Sequence, residues 1–154
     1  MSLSWKYSGG LMHKHKKQFG QNFLNSSHIL EKIMAAANIQ DNETILEIGP
    51  GDGKLTNELL KEADKVISVE IDRDLEKILR NSFGNNSKFR LIMKDVLKLD
   101  FKEEIGEKVK VVANIPYYIT SPIINKLIEN REYVDEIYIM VQKEVAERIA
   151  AEPD

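Results

Sequence analysis

The sequence has no cysteine, which excludes disulfide scaffolds, thiolate nucleophiles and zinc or iron–sulfur centres held by thiolates. Histidine is also scarce. The three present, His13, His15 and His28, have no spacing that suggests a metal site, and none is expected. No apolar run approaches the ~18 residues of a membrane span, and the first residues lack the apolar block of a secretory signal. A cytoplasmic protein with no membrane partner is therefore expected. There is no internal repeat and no low-complexity segment beyond a short Lys/His cluster. What is present is 154 residues, 42% apolar and 31% charged, enough for one domain around one hydrophobic core.

Acidic residues are missing from residues 1–24, which carry Lys6, Lys14, Lys16 and Lys17. This segment is +4, leaving −7 on the rest of a chain whose net charge is −3. A basic arm on an acidic body can track a polyanion such as RNA, because neutralised phosphates release counterions; Lys14, Lys16 and Lys17 are its candidate contacts. A solubilising tail is the competing reading. Residues 1–18 are expected to lack fixed structure in isolation, and residues 19–154 to form the folded domain.

From Ser26, the apolar residues Ile29, Leu30, Ile33, Met34 and Ala37 recur at helical spacing, and the run reaches Asn38, a residue that tolerates a helix end. Thr44 to Ile48 reads as a buried strand that stops at Gly49-Pro50-Gly51. Next comes a helix with Leu55, Leu59, Leu60 and Ala63 on one face. The alternation continues with a strand over 65–70, a helix over 74–81 and a strand over 89–93. Val109 to Ala113 supplies a fourth strand, a helix starts at Ser121 with Pro122 at its first position, and Glu136 to Val141 supplies a fifth strand before a helical run from Lys143. Strands alternating with helices predict an α/β fold with a doubly wound, mostly parallel sheet. In such sheets ligands sit beyond the carboxyl ends of the strands.

Glu47-Ile48-Gly49-Pro50-Gly51-Asp52-Gly53 follows the first of these strands, where glycines permit a tight turn and close backbone approach to a nucleotide-like cofactor. A dinucleotide fingerprint needs glycine at position 54; Lys54 stands there, which weakens an NAD reading. A glycine turn with no ligand stays open. Glu70 lies 21 residues after Gly49, about where an acid accepts both ribose hydroxyls of a nucleoside; alone, it could equally be a solvated strand-end carboxylate. Asp95 is placed to accept from an adenine amino group or to act as a turn cap. Asn114-Ile115-Pro116-Tyr117-Tyr118 is the most specific string. An Asn side-chain oxygen and the rigid carbonyl before a proline can accept both hydrogens of an exocyclic amine, while an aromatic ring stacks on the base. Such a holder raises the reactivity of a delocalised amine nitrogen by positioning and electrostatics, without a general base. As a lone string it could also be a turn.

With these residues in hand, the sequence resembles the RNA adenine N6-dimethyltransferases, the family of the small-subunit ribosomal RNA dimethyladenosine transferases and the erythromycin-resistance methylases. The supporting strings are Gln18 to Leu24, Glu47 to Gly51, Val69 to Asp72, Asp95 to Leu97, Asn114 to Tyr117 and Gln142 to Arg148; Pro50 and the last string look more like the ribosome-biogenesis branch. The resemblance implies a Rossmann-like class I methyltransferase fold with S-adenosylmethionine as cofactor and S-adenosylhomocysteine as product. It also implies two adjacent adenines near the 3′ end of small-subunit ribosomal RNA, or a pre-ribosomal small subunit, as target, each adenine receiving two methyl groups.

By the same resemblance, Asn22 and Leu24 lie by the methionine end of the cofactor, Gly49 and Gly51 under it, Glu70 on its ribose and Asp95 at its adenine. Asn114 and Ile115 hold the target amine, with Pro116 fixing the carbonyl before it and Tyr117 stacking on the target base. The family's seven-stranded sheet and helical RNA domain imply that a chain ending after five strands is truncated, with a cofactor half-site but without full catalysis. Two other readings remain: a non-catalytic RNA-binding or ribosome-assembly module, and a methyltransferase acting on a protein glutamine or a DNA adenine.

Overall fold

The computed structural model describes residues 2–8, 11–17 and 27–142. Two strands come first, β1 (Ser2–Ser8) and β2 (Leu11–Lys17), then helix α1 (Ser27–Ala37). The alternation that follows is β3 (Thr44–Ile48), α2 (Lys54–Glu62), β4 (Lys65–Glu70), α3 (Glu76–Phe83) and β5 (Phe89–Met93). The last elements are β6 (Val109–Pro116), α4 (Thr120–Glu129) and β7 (Val134–Gln142). Helix α1 closes as its sequence suggests: Asn38 takes a left-handed φ of 45° and its N–H donates to the Met34 carbonyl at 3.0 Å.

The sheet order is β2-β1-β7-β6-β3-β4-β5, with β3 to β7 mutually parallel. This is the doubly wound, Rossmann-like arrangement. Strand order reverses between β3 and β6, opening the crevice in which such folds bind ligands. Because crossovers place helices on both faces, the central strands are predominantly apolar, and β3 is buried at all five positions, Thr44 and Glu47 included. One core layer joins Leu46, Ile48, Val111 and Ile137 to Phe101 and to Ile123 and Leu127 of α4. The other joins Ile45, Val66 and Val112 to Ile33 of α1, Leu55 and Leu59 of α2, and Leu79 and Phe83 of α3. Among the described residues, no helix is long and apolar enough to cross a membrane.

The structure departs from the sequence reading in four places. Within the segment expected to lack fixed structure in isolation, residues 2–8 and 11–17 are strands: β1 pairs antiparallel with β7, Ser4 opposite Met140, and β2 pairs antiparallel with β1. The outer edge of β7 is a row of backbone donors and acceptors that any extended segment satisfies, whatever its charge, and Gly9-Gly10 between the strands is hairpin-type sequence. The sheet therefore has two strands more than the five read from sequence. Second, β6 runs on to Pro116 because β7 stays paired with it as far as Gln142, so Asn114, Ile115 and Pro116 end the strand instead of following it. Third, α4 starts one residue early, at Thr120; Pro122 still falls in the first turn, where no N–H is needed. Fourth, the helix expected over 74–81 is a 3₁₀ turn (Arg73–Leu75) followed by α3. The helical run from Lys143 lies outside the described residues.

Candidate functional site: a nucleoside-sized crevice and an amine holder

At the carboxyl ends of β3, β4, β5 and β6 lies a cavity of about 650 Å³, within the size range of small-molecule and cofactor sites. Gly49, Gly51, Glu70, Asp95, Asn114, Ile115 and Pro116 all line it. The sequence separates these residues by up to 67 positions, and the parallel sheet brings them together.

The turn after β3 is held from both sides. Gly49 has φ 76° and its N–H donates to the Val69 carbonyl at 3.0 Å. A Cβ there would lie 2.9 Å from the Asn114 carbonyl oxygen, so the absence of a side chain lets the turn and the end of β6 approach each other. Gly51 also has positive φ, 60°, and donates to Glu70 Oε1 at 3.2 Å. Glu70 Oε2 accepts from the N–H groups of Ile71 and Asp72, each at 3.0 Å. The 6%-exposed Glu70 carboxylate thus ties the glycine turn to the end of β4 while facing the cavity. Asp95 caps a turn, its Oδ1 accepting from Leu97 N–H at 3.0 Å, and the residue also lines the cavity.

Asn114 is the most informative residue. Its Oδ1 is buried with no hydrogen-bond partner among the described residues. An orphaned buried acceptor costs about 1–3 kcal/mol, and such a group persists where a ligand donor completes it. Pairing between β3 and β6 ends at Ala113, so β6 outruns its neighbour by three residues and presents Asn114 to Pro116 at the open mouth of the crevice. The turn Tyr117–Ile119 follows, locked by the Thr120 hydroxyl donating to the Pro116 carbonyl at 3.1 Å.

Asn22 and Leu24 lie outside the described residues, and of Tyr117 the backbone position is described. The backbone register brings Lys14, Lys16 and Lys17 to the same end of the sheet as Asn114. His15 shares a row with Ser4, Met140 and Asn114, and Lys17 shares one with Ser2, Gln142 and Pro116. With ~4.8 Å per strand, the β2 backbone lies about 14 Å from β6. No group of three or more His, Asp or Glu placed to hold a metal occurs among the described residues.

Sequence reasoning assigned no role to several residues here. Ile71, directly after Glu70, and Leu97, two residues after Asp95, line the cavity and are 66% and 41% exposed; apolar residues close behind each acid were the available signal for an apolar wall. Glu47 is buried behind the turn, its Oε1 accepting from the hydroxyls of Thr56 and Ser68. Burial pushes its carboxyl up to about 7, against the pull of those two hydrogen bonds and with a further push from Glu70. Lys94 lines the cavity and is paired with Glu104 at 2.7 Å.

A family profile described as "Ribosomal RNA adenine dimethylase" matches residues 12–154. A "Ribosomal RNA small subunit methyltransferase A" of Fusobacterium nucleatum subsp. nucleatum is 58% identical over 139 residues, covering 90% of this chain and 53% of that protein. One of Clostridium botulinum is 49% identical over 143 residues, covering 92% and 52%. Among solved structures, the 23S rRNA methyltransferase ErmE superposes with a TM-score of 0.70 at 32% identity, over 81% of this chain and 50% of that one. A dimethyladenosine transferase from Plasmodium falciparum superposes with a TM-score of 0.65 at 37% identity, over 82% and 46%. The chain spans about half the length of the curated relatives it matches. By sequence and by fold, the chain belongs to the ribosomal RNA adenine dimethylase family.

Proposed function

We propose that this chain carries the cofactor crevice and target-amine holder of an S-adenosylmethionine-dependent adenine N6,N6-dimethyltransferase acting on small-subunit ribosomal RNA, in the cytoplasm. The observation that carries this reading is the orphaned Asn114 Oδ1 at the open end of β6, beside the glycine turn. The relatives' name, ribosomal RNA small subunit methyltransferase A, supplies the substrate class.

The residues present fit the cofactor. The glycine turn leaves room for a backbone-close ligand, Glu70 offers a carboxylate at ribose position, and Asp95 with Ile71 and Leu97 forms a half-polar, half-apolar berth for an adenine. When bound, the cofactor supplies an electrophilic methyl group. The protein's own part is to hold the acceptor: Asn114 Oδ1 and the Ile115 carbonyl take the two hydrogens of the adenine amine, drawing its nitrogen lone pair out of the ring. Pro116 fixes the Ile115 carbonyl, and Tyr117 stacks on the base. Asn22 and Leu24 would complete the methionine end, and Lys14, Lys16 and Lys17, at the same end of the sheet, would neutralise RNA phosphates.

Two measurements test this reading. Calorimetric titration with S-adenosylmethionine is expected to show binding that Glu70→Ala weakens at least about tenfold; a folded chain that binds none refutes the cofactor assignment. In the full-length enzyme, Asn114→Ala is expected to abolish methyl transfer and leave RNA affinity within about threefold, less than 1 kcal/mol. Equal loss of both would instead favour a non-catalytic RNA-binding module, and transfer to a DNA adenine or a glutamine amide in preference to RNA would change the substrate class.

A further inference from the structure

Charge is distributed unevenly along the carboxyl edge of the sheet. On one side of β6, the ends of β4 and β5 carry Glu70, Asp72 and Asp95 beside Lys94, whose charge is paired with Glu104; on the other, β2 ends in Lys16 and Lys17. An RNA backbone is repelled by the first half and attracted by the second, so a strand delivering a base to Asn114 has to cross the rim on the β7 side. At the mouth of the crevice, just past the end of β6, stands Tyr118, which lines the cavity with Asn114 and Pro116 yet is 70% exposed. Its backbone is not loose: the turn that carries it is tied to β6 through Thr120 and Pro116, and the next residue, Ile119, packs against the core. A rigidly mounted, outward aromatic ring at the mouth of an amine holder has the form of a stacking platform for an unpaired base.

Resting on the function proposed above, we infer that Tyr118 stacks on the nucleotide next to the target adenine, so that it selects a target flanked by an unpaired, stackable base. Any of the four bases can stack, but adjoining purines do so over the larger area, which suits a pair of adjacent adenines. The ring acts through its face, and the hydroxyl is dispensable.

The test uses a short single-stranded oligoribonucleotide with two adjacent adenines, one replaced by the fluorescent isomer 2-aminopurine, which lacks the 6-amino group that Asn114 holds and so takes the neighbouring place, and whose emission is quenched by stacking. The wild-type chain and Tyr118→Phe are expected to quench it and to bind within about threefold of each other, whereas Tyr118→Leu loses the quenching and binds about tenfold more weakly. Absence of quenching with the wild type, or full quenching with Tyr118→Leu, overturns the inference. S-adenosylmethionine titration of the wild type, run in parallel, keeps the outcomes separate: its failure refutes the cofactor reading, while its success without quenching refutes only the platform.

Discussion

Replacing Glu47 by glutamine should change how stability depends on pH, in a window set by that one carboxyl. Glu47 is 1% exposed at the centre of the sheet. Its Oε1 accepts two hydroxyl hydrogen bonds, and its Oε2 has no partner among the described residues. Burial raises its pKa from an ordinary 4.5 to about 7. Between those values the native protein retains a proton that the unfolded chain has released, so unfolding free energy falls as pH rises and levels off above about 7.

At ~1.4 kcal/mol per tenfold change in proton affinity, the loss amounts to roughly 3 kcal/mol. Glu47→Gln keeps the shape and cannot ionise. The assay is urea unfolding of both proteins at intervals from pH 4.5 to 8, followed by circular dichroism. The wild-type curve should fall relative to the variant by roughly 3 kcal/mol across that range, and parallel curves would refute the reasoning. Glu104 and Glu107 act at lower pH. The hydrogen bond from Lys94, then that from the Asp100 N–H, lowers the Glu104 carboxyl. For Glu107, burial works upward but is outweighed by Lys65 and Thr44. Both contribute stability above the ordinary carboxylate pKa that is lost as pH falls below it, outside the Glu47 window.

Two further perturbations test the frame around the site. Gly49→Ala forces a Cβ to within 2.9 Å of the Asn114 carbonyl at φ 76°; it should cost about 1–3 kcal/mol of stability and weaken S-adenosylmethionine binding further than the stability loss alone explains, and a calorimetric affinity equal to wild type would show that the turn does not need this close approach. At the opposite end of β6, the 4%-exposed Lys110 donates to the carbonyls of Ala37 and Asn38 and to Glu43, at 2.8, 3.2 and 2.8 Å. Lys110→Met removes the buried ammonium from these acceptors and from Glu136, 3.5 Å away, and should lower the free energy of urea unfolding by about 1–3 kcal/mol, whereas a loss below about 1 kcal/mol would mean that water replaces the ammonium.

Much of the fold was legible because its signals are local. The strands read over Thr44–Ile48, Lys65–Glu70 and Phe89–Met93 match the observed ones residue for residue, since strands of a parallel sheet covered by helices are dominated by apolar residues and stop at polar or glycine residues. The cavity-lining residues were legible for a related reason: in such sheets a ligand crevice lies beyond the carboxyl ends of the strands, and the alternating pattern shows which end is which.

The sequence by itself therefore determined the doubly wound class, the strand ends that border the crevice, and the identity of Gly49, Glu70, Asp95 and Asn114 as residues that meet there. Only the tertiary structure decided that β6 outruns β3, leaving the Asn114 oxygen buried and unpartnered, and that the basic N-terminal segment joins the sheet as two strands. It alone also showed that Glu47 sits where its charge is disfavoured and that Tyr118 faces outward. These outcomes depend on which backbone edges are left unpaired and on how much water reaches a side chain. Such quantities are sums over neighbours distant in sequence, and no local pattern encodes them.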